Sequence, residues 1–411
     1  MPPAFQTSPI NAPATATPPS QSRRTLILIL AFLSAFAPLT TDMYLPAFAQ
    51  MAASFNVEAG RIQGTLTAFF LGMAAGQLLY GPILDRWGRR IPLLGGVTVY
   101  LLATLGCLLS TNVEMFTVFR VFQAIGGCAG IIVARAVVSD LFDPVENART
   151  MSLLMMIVTL APAVAPLFGG WILHFAPWQA IFVALLVYGA LCWVLAWMRL
   201  PETMPVSKRQ PISMRSMVRT YAGLLAQPSF RVPAVVGGLG LSTIFCYITG
   251  SAFVFIKLYG LSEQQYATVF GVNALGIMAA SQLNRLLLRR WPVHKALSFG
   301  LTVNLSAGLL VLAAVALGGS VWLFALPLWF CVGSMGLIGS NAAALAMSAS
   351  GPRAGSASAL VGTLQFVFAS IFSALVAVTQ NGTAYPMAIA MVTAPAIAAV
   401  IWGFRSRVAR P

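Results

Sequence analysis

Apolar runs of about twenty residues, separated by short charged stretches, follow one another along the chain from Thr25 to Phe404. A helix needs a run of that length to cross the hydrocarbon core of a bilayer. Residues 25–57 carry one charge, Asp42, and residues 62–84 and 91–113 carry none. Residues 115–139 form a fourth run with Arg120 and Arg135 inside it. Residues 150–198 hold no formal charge, and "HFAPWQ" (174–179) divides them in two. Residues 232–256 and 264–284 supply one run each. Residues 296–352 divide at "LGGSVW" (317–322), and residues 354–404 at "TQNGTAYP" (379–386). The pattern predicts twelve spans in an all-α integral membrane protein.

Composition agrees with this pattern. Hydrophobic residues make up 59% and charged residues 8%, with a mean hydropathy of +0.85, which leaves too little polarity for an ordinary water-exposed surface. The net charge of +15 would suggest nucleic acid, but its placement argues otherwise. With the N-terminus inside, 20 of the 24 basic residues fall on the inner side, only Arg61 and Lys257 fall outside, and Arg120 and Arg135 lie within span four. The positive-inside rule then predicts both termini cytoplasmic, so the charge describes topology and no nucleic-acid partner is expected. The five cysteines (107, 128, 192, 246 and 331) all sit in apolar runs and read as packing residues. The two histidines, His174 and His294, fall at predicted span ends. Neither a metal site nor a cofactor is expected from so few ligands.

Residues 1–24 begin with a proline-rich, uncharged stretch and are expected to be a disordered cytoplasmic tail. "RR" followed by an apolar run and "AFA" (35–37) also has the form of a signal peptide. Cleavage there would leave an odd number of spans and invert the charge asymmetry. A weak repeat with an offset of 204 pairs Trp87 with Trp291 and Gly96 with Gly300. It predicts two six-helix bundles, 25–199 and 231–404, a basic cytoplasmic linker over 200–230 and a tail over 405–411. Such internal repeats characterise transporters whose site lies between the halves, near the midplane.

The loop after span two reads "GPILDRWGRRIP" (81–92). It resembles the loop signature of the major facilitator superfamily, and the resemblance implies that fold, a monomer, and a cytoplasmic latch built from Gly81, Asp85, Arg86, Gly88, Arg89, Arg90 and Asp140. Gly81 and Gly88 are expected to permit a tight turn and close helix approach. In "FRVFQAIGGCAG" (119–130), Arg120 and Gln123 are similar to a proton-antiporter motif. "APAVAPLFGG" (161–170) resembles a second antiporter motif, with Pro162, Pro166, Gly169 and Gly170 in place but Ala161 and Ala165 where glycine is usual. "DMYLPAF" (42–48) and "RAVVSDLF" (135–142) are similar to the Bcr/CflA branch of bacterial drug:proton antiporters. That resemblance implies residence in the bacterial inner membrane, export of bicyclomycin- or chloramphenicol-like drugs, and the proton gradient as energy source with no cofactor.

Depth follows from helix rise. Asp42 lies about 24 Å from the inner edge of a core roughly 30 Å thick, and Arg120 lies about 7–8 Å from its outer edge. The two are therefore expected at similar depth and in contact, as a proton-coupling pair or as a static ion pair between two helices. Desolvation favours the neutral acid and a nearby guanidinium favours the carboxylate, so a change in either would load or unload a proton. One proton crossing about 150 mV yields roughly 3.5 kcal/mol, enough for a several-hundred-fold gradient. Pro38 and Pro46, flanking Asp42, predict a locally irregular helix beside a cavity. Tyr44, Gln123, Asn273, Asn341 and Gln365 are the candidate polar anchors of an otherwise apolar drug cavity, although hydrogen bonding between helices would use the same residue types. Arg135, near the inner end of span four, is expected to snorkel to the interface. An exporter of an endogenous metabolite fits the same pattern. A receptor or scaffold leaves the acid, the arginine and the antiporter-like motifs unaccounted for.

Overall fold

A computed structural model of the chain describes residues 20–209 and 214–408. Most of the expected tail, residues 1–19, lies outside the described residues, as do 210–213 of the linker and 409–411 at the end. Among the described residues twelve helices are long and apolar enough to cross a membrane. Spans one to six are Thr25–Phe55, Ala59–Trp87, Arg90–Leu108, Val113–Leu141, Arg149–Phe175 and Gln179–Arg199. Spans seven to twelve are Pro228–Leu258, Glu263–Leu287, Val293–Ala316, Val321–Ser348, Gly355–Val378 and Tyr385–Phe404.

The three divisions expected inside uncharged runs occur where the turn-forming residues stand. Helices end at Phe175, Ala316 and Val378 and resume at Gln179, Val321 and Tyr385. Polar caps fix other starts. The Asn112 side chain accepts from the Met115 amide at 2.8 Å to open span four, and Ser262 and Gln265 form a reciprocal capping box at span eight. Helix extends beyond the expected limits at both ends of the chain, from Ser20 and on to Val408. The linker contains a helix of its own, Met214–Ala226, packed against spans seven and eleven. Its Leu224 is buried in an apolar cluster with Phe230, Ala346 and Leu360.

Span four packs against spans two and three, and span one lies across spans four, five and six. Among the last six spans, seven packs against ten, eleven and twelve, while nine packs against ten and twelve. The two sets meet along two seams, span two against span eleven and span five against span eight. On the first seam the Thr67 and Ser373 hydroxyls are 2.9 Å apart, and beside it the Phe70 ring centre lies 4.7 Å from that of Phe245 in span seven.

Span one is not a continuous helix. It turns at Ala35, runs as Phe36–Asp42, turns again at Met43 and Tyr44, tightens to a 3-10 turn over Leu45–Ala47, and resumes as Phe48–Phe55. Pro38 and Pro46 lie within these segments, and each lacks the amide hydrogen that a continuous helix would use. The irregularity expected from the two prolines is present and places Asp42 at the end of a short helix.

Candidate functional site

The centre of the first six spans is built around Arg120. Its side chain is fully buried, and its guanidinium carbon lies 4.4 Å from the ring centres of both Tyr44 and Phe69. Nη1 donates to the Thr40 carbonyl at 3.2 Å and to Gln123 Oε1 at 2.6 Å. Gln123 Nε2 donates in turn to Thr104 Oγ1 at 2.8 Å. Tyr44 is held by a hydroxyl contact with Thr65 at 3.1 Å. Two aromatic faces and two oxygens offset part of the desolvation of a guanidinium without a carboxylate, while its Nε and Nη2 are left without a hydrogen-bond partner.

The expected contact between Asp42 and Arg120 is not formed; among the described residues no ion pair joins them. The reason lies in helical geometry. Thr40 faces spans three and four, giving its carbonyl to Arg120 and its hydroxyl to Tyr100 at 3.0 Å. A residue two positions on is rotated by about 200°, so Asp42 points to the opposite side of the short helix. There its carboxyl lies within electrostatic reach of Tyr247 in span seven and Tyr266 in span eight. Asp42 is 2% exposed, and its Oδ1 has no hydrogen-bond partner. The carboxyl therefore belongs to the contact between the two sets of spans, not to the Arg120 cluster.

The five candidate drug contacts do not converge. Tyr44 and Gln123 are sealed into the Arg120 cluster. Asn273 donates to the Tyr247 hydroxyl and the Val269 carbonyl, each at 3.1 Å, and its Oδ1 is unpaired. Asn341 is spent on Asn284 at 2.7 Å and the Leu337 carbonyl at 2.8 Å. Gln365 is half-buried in span eleven. Arg135 is half-buried near the 2–3 loop end of span four, with its Nε unpaired.

The loop after span two does gather charges. Arg89 Nε donates to Asp140 Oδ2 at 2.9 Å, while the Arg89–Asp85 separation is 3.9 Å. Glu202, which the motif did not point to, completes the arrangement from the end of span six. Its carboxylate accepts from the Arg89 amide at 2.9 and 3.1 Å and from the Arg90 amide at 3.2 Å, and lies 3.7 Å from Arg209. Gly88, at φ +82°, stands where any side chain would overlap that carboxylate. Gly81 meets nothing at the position of a side chain, so the close approach expected of it is absent. Arg90 donates to the Trp197 carbonyl at 2.6 Å, and Arg86 is exposed beside the Trp87 ring. "PET" at 201–203, directly after span six, was the available signal for Glu202.

Span five contributes its two glycines in different directions. Gly169 abuts the Met43 carbonyl, one residue beyond Asp42, and Gly170 faces the Glu263 carbonyl and Ala267 of span eight. Pro162 and Pro166 are accommodated inside the helix, and Ala165 is fully buried where glycine was expected.

A cavity of about 1020 Å³ opens between the two sets of spans at the end of the 1–2 loop, with a second of about 600 Å³ beside it. Gly60 and Gln380 border both, and at Gly60 a side chain would stand 2.6 Å from the Ala377 carbonyl. None of the five candidate drug contacts lines either cavity.

Twelve packed spans with a broken first helix, a buried acid at the seam and a charged cluster on one loop define a secondary transporter. Residues 30–374 match the profile of the Major Facilitator Superfamily, and the chain belongs to that family of transporters, which are not enzymes. It is 36% identical over 384 residues to the uncharacterized MFS-type transporter YdgK of Bacillus subtilis, covering 92% of this chain and 94% of the relative. It is 32% identical to a bicyclomycin resistance protein homolog of Haemophilus influenzae (89% and 92% covered), and 30% identical to a chloramphenicol resistance protein of Pseudomonas aeruginosa (74% and 72%). Its fold superposes with a TM-score of 0.74, at 17% identity and over 95% of this chain and 98% of the other, on a bacterial homolog of the human lysosomal transporter Spinster in an inward-facing state. A D-xylose-proton symporter gives 0.72 at 13% identity, over 94% and 97%.

Proposed function

We propose that the protein is a proton-coupled antiporter of the bacterial inner membrane that exports small amphiphilic drugs by alternating access. The observation that carries this reading is Asp42, a buried carboxyl with an unpaired oxygen at the break in span one, facing spans seven and eight. A group there changes surroundings whenever the two sets of spans move apart. Protonation favours closure around a neutral acid, and opening to water favours the carboxylate. Coupling thus lives in the seam, while Arg120 fixes the helix that presents Asp42 by holding the Thr40 carbonyl. The names of the relatives, which include bicyclomycin and chloramphenicol resistance proteins, support a drug as the second substrate.

In this reading both termini and the 2–3 loop are cytoplasmic, and the Arg89–Asp140–Glu202 cluster latches the inner side while the outer side opens. The chain works as a monomer in lipid with no bound cofactor. The test is proton movement in everted vesicles on addition of chloramphenicol under an imposed pH gradient. Drug-evoked flux in the wild type that disappears in Asp42→Asn at equal expression is the expected result. Flux that persists in Asp42→Asn would remove the carrier role. No flux with chloramphenicol, but flux with an endogenous metabolite, would reassign the substrate.

A further inference from the structure

The cavity at the 1–2 loop end contains a group that the transport reading leaves unused. Gln63 in span two borders it and is 0% exposed, yet neither its Nε2 nor its Oε1 has a hydrogen-bond partner. Such an amide loses its water without gaining a bond, and buried polar groups are normally paired. Its neighbours along the same helical stripe are all engaged. Gly60, one turn before, packs on the Ala377 carbonyl, and Thr67, one turn after, meets the Ser373 hydroxyl at 2.9 Å. Gln63 thus faces the opposing spans between two positions that make their contacts, and makes none itself.

The surroundings specify a ligand. Phe48 and Phe253 contribute apolar walls from opposite sides of the seam. Glu58 and Lys257, one acid and one base, also line the cavity. Opposite charges give a net anion or cation no overall advantage, while a carboxamide both donates and accepts. The volume of about 1020 Å³ is at the upper end of small-molecule sites, roughly 300–1,000 Å³.

We infer that this cavity is a binding site, separate from Asp42, for a neutral amphiphile bearing amide or hydroxyl groups, with the Gln63 carboxamide as its recognition group. Gln63, which no hydrogen bond holds in place, turns its amide toward the cavity as the ligand enters and gains from it the acceptor and donor that it lacks, and the ligand's apolar body lies between Phe48 and Phe253. As a station through which exported drug leaves, the site rests on the transport reading; as a binding site it does not.

The experiment is equilibrium binding of radiolabelled chloramphenicol, a neutral amide with two hydroxyls, to the full chain in lipid nanodiscs. Thermal unfolding of the same samples and drug-evoked proton flux in proteoliposomes are recorded in parallel. Wild type, Gln63→Leu and Ala52→Trp are compared, the last placing bulk on the cavity wall. The expected result is a binding component that weakens about tenfold or more in Gln63→Leu, as when a hydrogen-bonding group in a site is lost, and disappears in Ala52→Trp. Replacing an unpaired amide by a hydrocarbon of similar shape leaves the unfolding temperature unchanged or raises it. Chloramphenicol binding identical in all three proteins overturns the inference, as does a Gln63→Leu protein that is less stable but binds normally. Flux with no Gln63-dependent binding sinks the site and leaves the antiporter standing. Gln63-dependent binding with no flux for any drug leaves the site and sinks the transport reading.

Discussion

Gly169 of span five rests directly on the carbonyl of Met43, the first residue of the turn that ends the Asp42 helix. A side chain at this position would overlap the Met43 backbone, which has no rotamer to yield. Span five therefore sets how far the break in span one can move, which links the glycine of the antiporter-like motif to the acid in physical terms.

Gly169→Ala should lower stability by about 1–3 kcal/mol, the usual cost of overpacking, and Gly169→Val should abolish drug-evoked proton flux at normal expression. Gly170, whose side-chain position is 3.5 Å from the nearest atom, should tolerate alanine. Thermal unfolding of the three proteins in nanodiscs checks the ranking. Equal effects at 169 and 170 would remove the special status of the Met43 contact.

The two acids near Arg89 should not be equivalent. Asp140 is 2.9 Å away and its side chain is 22% exposed, whereas Asp85 is 3.9 Å away and 65% exposed. Exposed pairs contribute roughly 0–1 kcal/mol, and hydrogen bonds to charged groups in drier settings about 1.5–3 kcal/mol. Asp140→Asn should accelerate amide hydrogen exchange across residues 84–92 more strongly than Asp85→Asn. The reverse order would mean that the more exposed acid dominates.

Glu202→Gln removes the charge that caps the start of span three and faces Arg209. A loss of about 1 kcal/mol is expected from the cap, with faster exchange at the Arg89 and Arg90 amides and little change in spans seven to twelve. Thermal unfolding combined with residue-resolved exchange measures both. A uniform change across the protein would contradict a local cap.

The spans were legible because hydrocarbon imposes one length on every helix that crosses it, and the residues able to interrupt an apolar run, such as Pro177 and Gly318, stand at the ends found. The break at Asp42 was legible from Pro38 and Pro46 because proline acts locally on the backbone. The partner of Asp42 was not. Helix rise gives depth, but the two-residue step from Thr40 to Asp42 decides direction, and the break resets that direction for the rest of span one. The partners of Glu202, marked in the sequence only as an acid after span six, and the isolation of Gln63 were hidden as well. Glu202 acts on a loop more than a hundred positions away, and Gln63 matters only because its neighbours at 60 and 67 find partners while it does not.

All five cysteines are buried, none more than 1% exposed, and thiols so placed are inert to aqueous reagents. The natural chain is thus already a silent background for site-directed spectroscopy. A single cysteine introduced at Ala53 of span one and another at Gln380 after span eleven, both lining the large cavity, would take a pair of spin labels without first replacing five core side chains. The opening and closing of that mouth can then be followed as a distance in the otherwise unaltered protein.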